Sequence, residues 1–144
     1  MESQRTRYGW ALKIEAGEEI VATIQTFAAA QGLRAGALSG IGAVGDTELG
    51  FFIPSSGEYV RRRFAGDHEI LALTGNLSEL ESKPFAHCHL ILAGEDLVAY
   101  GGHLFSGVVT VTCEVQIVTD PGRLLRVPRP ELGFNPLQLD DRSS

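Results

Sequence analysis

The chain has 144 residues and a formal net charge of −6, from 12 Lys and Arg against 18 Asp and Glu. A domain of this size buries roughly 68–70% of its unfolded surface, so neither disulfide nor metal is needed merely to fold it. The acidic balance argues against a whole-domain electrostatic grip on nucleic acid, and 44% hydrophobic residues with 17 Gly describe a compact chain of strands and turns, not a disordered one.

The polar opening, Met1-Glu2-Ser3-Gln4-Arg5-Thr6-Arg7, has no apolar stretch fit for a signal peptide, and no run of about 18 apolar residues exists to span a bilayer. Cys88 and Cys113 form no CxxC pair and read as small buried hydrophobes in reducing surroundings. A cytoplasmic location without membrane contact is expected. Residues 8–14 alternate loosely, with Trp10, Leu12 and Ile14 apolar, and predict a first strand. Gly17-Glu18-Glu19 then puts acidic side chains at the positive end of a helix dipole. Ile20, Ile24, Phe27 and Ala28 recur at helical spacing, which predicts a helix over 20–31 stopped by Gly32.

The punctuation changes after that helix. Residues 35–52 are laced with Gly and predict a strand, a turn and another strand; residues 53–58 predict a loop. Strands are predicted over 59–64 and 69–77, joined by Ala65-Gly66-Asp67. A polar loop over 78–84 leads to a strand at 85–92. Ala93-Gly94-Glu95-Asp96 then turns the chain into 97–105, a hairpin signature. Gly107 precedes 108–118, the longest β-branched run. Beyond it Pro128, Pro130 and Pro136 punctuate a tail without period, residues 119–144, expected to wrap the surface or cover a neighbour. The sum is one α+β domain over 1–144, core about 8–118, with one main helix and about seven strands in a mostly antiparallel sheet.

Three of the four His cluster in sequence: His87 and His89 in Phe85-Ala86-His87-Cys88-His89-Leu90, and His103 in Tyr100-Gly101-Gly102-His103-Leu104. An HxH pair on a strand points both imidazoles to one face, since side chains alternate with period two. A hairpin turning about Glu95 sets His87 opposite His103 and His89 opposite Gly101. Opposed Cβ atoms lie about 4.5–5.5 Å apart, so two ring nitrogens reach a shared metal at about 2.0–2.1 Å each. Three imidazoles on one face leave a coordination position open, as catalytic zinc sites do. The rival reading is ordinary half-buried His bonded to backbone or carboxylates, and a one-residue slip turns His103 to the other face. Glu69 and Glu114 each sit in an apolar strand; Glu69 is the candidate proton acceptor, while Glu114 and His68 read as a solvent-facing and a turn residue. Gly101 and Gly102 leave room beside the cluster. Ser39-Gly40-Ile41-Gly42 precedes a strand-like segment, not a helix, which excludes a dinucleotide fingerprint. Arg61-Arg62-Arg63 reads as a solvated strand face.

The stretch Gly32-Leu33-Arg34-Ala35-Gly36-Ala37-Leu38-Ser39-Gly40-Ile41-Gly42-Ala43-Val44, followed by Glu69-Ile70-Leu71-Ala72-Leu73-Thr74-Gly75-Asn76, His87-Cys88-His89-Leu90 and Gly101-Gly102-His103-Leu104, resembles the plants and prokaryotes conserved (PPC) domain family. The resemblance runs from about residue 8 to 118, and the HxH followed by Gly-Gly-His-Leu is its most specific part. It implies a seven-stranded, mainly antiparallel sheet with one principal helix, assembled as a homotrimer. For stand-alone prokaryotic members it implies a metal, zinc, held by the residues matching His87, His89 and His103. Plant members of the family bind DNA through attached AT-hooks, but this chain has no Arg-Gly-Arg-Pro hook. The expectation is a trimeric metal-binding protein with an open three-His site, working as a metal-dependent hydrolase or lyase on a small molecule. The alternatives are a DNA-associated or regulatory module without catalysis, and an oligomerisation module without metal.

Overall fold

The computed structural model describes residues 1–139. In chain order it runs β1 (Glu2–Thr6), β2 (Gly9–Glu15), α1 (Ile20–Gln31), β3 (Gly36–Ile53), β4 (Glu58–Phe64), β5 (His68–Leu80), β6 (Lys83–Ala93), β7 (Ala99–Thr119), β8 (Leu125–Arg126) and β9 (Leu137–Gln138). The strands form one sheet, ordered β1-β2-β7-β3-β5-β8-β9, with β4 on β3 and β6 bonded to both β5 and β7. Strands β3, β5, β6 and β7 therefore close a ring. Every pairing is antiparallel except the short β5–β8 contact.

Helix α1 forms where its apolar spacing predicts. The Glu19 side chain caps it by accepting from the Ala22 N–H at 2.6 Å, and also accepts from the Gly107 N–H at 3.1 Å, tying the helix start to β7. Gly32 ends it in the left-handed conformation, with the Leu33 N–H reaching back to Ala28 O at 2.9 Å. Ile20, Ile24 and Phe27 of α1 meet the inward alternates of the ring, among them Leu38, Leu73 and Leu90, in one core.

The observed strands are fewer and longer in the middle of the chain, and additional at its ends, compared with the expectation. Residues expected as strand, turn and strand are the single 18-residue β3, and the runs over 97–105 and 108–118 are the single 21-residue β7. The glycines read as turns sit at or beside register shifts, between Gly40 and Gly42 and between Gly42 and Val44, where β5 and β7 carry the extra residues of bulges and β3 runs on without ending. The expected loop over 78–84 is a tight reversal at Glu81 and Ser82, both with positive φ (50° and 64°), that joins β5 directly to β6. Two of its polar residues are buried with partners: the Ser78 hydroxyl donates to Phe85 O, and Glu79 pairs with Arg34 and Arg123. Strand β1 was hidden in the polar start.

The tail packs on its own chain over the described residues. Glu79 N–H donates to Leu124 O at 2.7 Å, Val127 N–H donates to Pro136 O at 3.2 Å, and β8 brings Arg126 to the sheet.

Candidate metal centre

Side chains that alternate inward on β6 and β7 fill the core, so the opposite alternates, including His87, His89 and His103, project from the outer face of the ring. The hairpin register differs from the expected one. His89, not His87, lies opposite His103, and Gly101 lies opposite Ile91. The connection is longer than the four-residue tetrad because Leu97 takes a positive φ of 58° and β7 starts only at Ala99. The slip is two residues, which with a period of two keeps every side chain on its face.

One ring nitrogen from each of the three His lies within 4.8 Å of the others. His87 Nε2 and His103 Nδ1 are 3.2 Å apart. Ligands at about 2.0–2.1 Å from a tetrahedral zinc are separated by roughly 3.3 Å, so this pair already has the spacing of two ligands of one ion. The donor set suits a borderline cation such as zinc, and His89 is the most exposed of the three, which leaves the cluster open to solvent. Burial holds the His87 imidazole well below its usual value of 6.5, at about 4, with the nearby positive charge of Arg126 acting in the same direction. His103 is likewise lowered to about 4, first by burial and then by its charged neighbours. Both rings are neutral at pH 7 and offer lone pairs.

Residues that sequence reasoning missed surround the cluster. Arg126 comes from the tail: its Nη2 donates to His87 Nδ1 at 3.1 Å and to Asn76 Oδ1 at 2.8 Å. Asn76 itself faces His87 across β5 and β6, as Thr74 faces His89. Tyr59 and Phe105 stand against the His103 ring at centroid distances of 5.4 and 4.7 Å and form an aromatic wall. Arg61 lies over Phe105 at 3.7 Å and pairs with Glu48 at 2.9 Å, while Arg62 lies between Phe64 and Tyr100. The arginine triplet read as a solvated face thus spends two of its members on aromatic rings. The only sequence signal for Arg126 is a charge inside Leu124-Leu125-Arg126-Val127, in a segment with no period to say which way it points.

Other predicted residues lie elsewhere. Glu69 is exposed and pairs with Ala43 and Ala93, five positions along β5 from Thr74. At about 3.3 Å per residue that is roughly 16 Å, out of proton-transfer reach within one chain. Glu114 is exposed between Lys13 and Ile41. His68 opens β5 as a half-buried strand residue, with Nδ1 3.0 Å from Gly66 O. Gly101 is on the outer face one strand position beyond the cluster, but Gly102 points inward, where a Cβ would meet Gly50 O at 2.8 Å. Gly102 serves close strand packing, not room for a ligand.

A small α+β domain whose ring of antiparallel strands presents three converging imidazoles is the class that fold and site define. The chain belongs to the Plants and Prokaryotes Conserved (PCC) domain family, whose model matches residues 1–120. It is similar to the metal-containing protein of Archaeoglobus fulgidus, with 35% identity, a TM-score of 0.83, and coverage of 90% of this chain and 91% of that one. It is also similar to a candidate DNA-binding protein from Bacteroides thetaiotaomicron, at 29% identity and a TM-score of 0.90 over 95% of this chain and 96% of that one. The plant- and prokaryote-conserved protein of Pyrococcus horikoshii is 26% identical, with a TM-score of 0.85 over 97% of this chain and 95% of that one. No curated protein sequence matches the chain.

Proposed function

We propose that the protein is a homotrimeric metal-binding protein in which His87, His89 and His103 hold a divalent ion, zinc, and that it acts as a hydrolase or lyase on a small molecule. One observation carries the reading: three ring nitrogens within 4.8 Å of one another on an outer face, two of them from rings held neutral by burial. The metal-containing relative from Archaeoglobus fulgidus supports it. A zinc ion there would polarise a carbonyl group and acidify a water molecule. The chain's own part is to hold the three donors on rigid strands, with the Arg126 guanidinium beside the His87 ring. Tyr59 and Phe105 exclude water on the side of His103. The trimer is supported by apolar residues exposed on the same outer face, Ile41 at 58% and Val111 at 66% among them, which a second copy would cover. No helix among the described residues is long and apolar enough to cross a membrane; a cytoplasmic location belongs to this proposal.

Equilibrium dialysis against zinc tests the ligand set. Wild type is expected to retain the ion, His103→Ala to lose it, and His68→Ala to behave as wild type. Equal retention by wild type and His103→Ala would rule the site out. The catalytic half predicts turnover of small carbonyl compounds that requires zinc and vanishes in His103→Ala.

The relative described as a candidate DNA-binding protein favours a second reading, a DNA-associated regulatory module. The net charge of −6 opposes direct phosphate contact. Absence of binding to duplex DNA at about 50 mM salt, where such contacts are strongest, would remove it.

A further inference from the structure

Arg126 is the one buried basic residue among the described residues, with 9% of its surface exposed. Its guanidinium has five N–H groups. Nε donates to Ser78 Oγ at 2.8 Å and Nη1 to Asn135 O at 2.7 Å; Nη2 donates to Asn76 Oδ1 at 2.8 Å and His87 Nδ1 at 3.1 Å. Four donors are engaged, and no described residue accepts from the second N–H on Nη1. All four acceptors are neutral. Among the described residues the carboxylates within 4.0 Å of a cation pair with other groups, and none pairs with Arg126. Glu79, also buried, has two arginines; Arg126 has no anionic partner among the described residues. A buried charge is costly to desolvate unless something of opposite sign meets it.

The hydrogen bonds add a second constraint. A guanidinium only donates, so His87 accepts at Nδ1, and its neutral ring carries the proton on Nε2, directed at His103 Nδ1 3.2 Å away. Holding a cation through Nε2 requires the other tautomer, with the proton on Nδ1. Two donors would then face each other across the 3.1 Å contact. The contact must open, and a second guanidinium N–H becomes free beside the three-His cluster.

We propose that Arg126 is the anion-recognition residue of this centre, and that the ligand of the open position is a small oxyanion, a carboxylate or phosphate group, held between the cluster and the guanidinium. This rests on the metal reading of the cluster. An arginine fork matches both groups, and a charge-assisted pair in a partly dry site is strong. Loading the ion and binding the anion then favour each other, since the first frees the donor that the second uses.

The test uses the full chain loaded with cobalt(II), whose visible spectrum responds to ligands entering its coordination sphere. Titration with acetate, and separately with inorganic phosphate, is expected to shift the wild-type spectrum with at least one anion, and the anion that binds more tightly identifies the ligand group. Arg126→Met is expected to keep or tighten cobalt binding, because a competing donor and a positive charge are gone, while anion affinity falls about tenfold or more. Should Arg126→Met fail to fold, Arg126→Lys makes the same comparison, since it keeps the charge without the planar fork, and a several-fold loss is expected. Unchanged anion affinity in the variant, a wild-type spectrum indifferent to both anions, or cobalt binding weakened along with anion binding overturns the assignment and leaves Arg126 a support for His87. A wild-type protein that takes up no cobalt overturns the metal reading itself.

Discussion

His87 and His103 are bases kept neutral by their surroundings, and that state has a consequence for stability. Both titrate near 6.5 in an unfolded chain and at about 4 in the fold, lowered chiefly by burial. Between those values the unfolded chain binds more protons than the native one, so native stability rises with pH across the window. The contribution is complete above about pH 6.5 and lost as pH falls toward 4. The metal-free protein is therefore expected to lose melting temperature steadily over that range, and a His87→Gln, His103→Gln variant to show a flatter profile; matching profiles would contradict the burial argument. At this scale the sequence was readable where period two governs. The HxH spacing put two rings on one face, and the third followed because a two-residue slip is invisible to facing. Arg126 was not readable, because no local pattern ties residue 126 to residues 76, 78 and 87, which it meets only through the fold. Glu69 misled for the complementary reason: its apolar neighbours describe a strand, but not which end of the strand reaches the site.

At the scale of elements, the glycines carry the geometry. Gly75 on β5 faces Cys88 on β6, and a Cβ there would overlap the His87 carbonyl oxygen and meet Cys88 Cα at 3.0 Å. Gly75→Ala must push β6 away at the residue that carries the first ligand. The expected cost is about 1–3 kcal/mol in urea unfolding, with weaker zinc binding alongside; a variant as stable and as tight as wild type would show that β5 and β6 have slack. Composition announces Gly but not its use. Gly32 ends a helix, as its place after an apolar period says, whereas Gly40 and Gly42 sit where β3 faces bulges in β5 and β7, and in sequence they look like a turn. That is why β3 and β7 were each read as two strands. The buried Ser78 and Glu79 made a hairpin look like a loop, because polarity in sequence does not reveal a partner 45 residues away.

For the whole molecule, α1 packs on the core side of the closed ring, and the outer face, which no helix of the described residues covers, holds both the His cluster and a set of exposed apolar side chains. Ile41, Leu71 and Val111 are 58%, 51% and 66% exposed there. If copies of the chain meet on this face, Ile41→Glu or Val111→Glu is expected to dissociate the trimer in sedimentation velocity while leaving the monomer folded by circular dichroism. A wild-type protein that sediments as a monomer contradicts the assembly. The α+β class, the single helix and the antiparallel order were legible from periodicity, and the short strands β1, β8 and β9 were not, since two to five polar or unpatterned residues become strands only beside a partner.

The most direct test is a crystal structure of zinc-replete protein with anomalous data collected across the zinc edge. The account predicts a single peak per chain at about 2.0–2.1 Å from one ring nitrogen each of His87, His89 and His103, with Arg126 drawn off the His87 ring. Density with those rings splayed apart and no anomalous peak among them would contradict it.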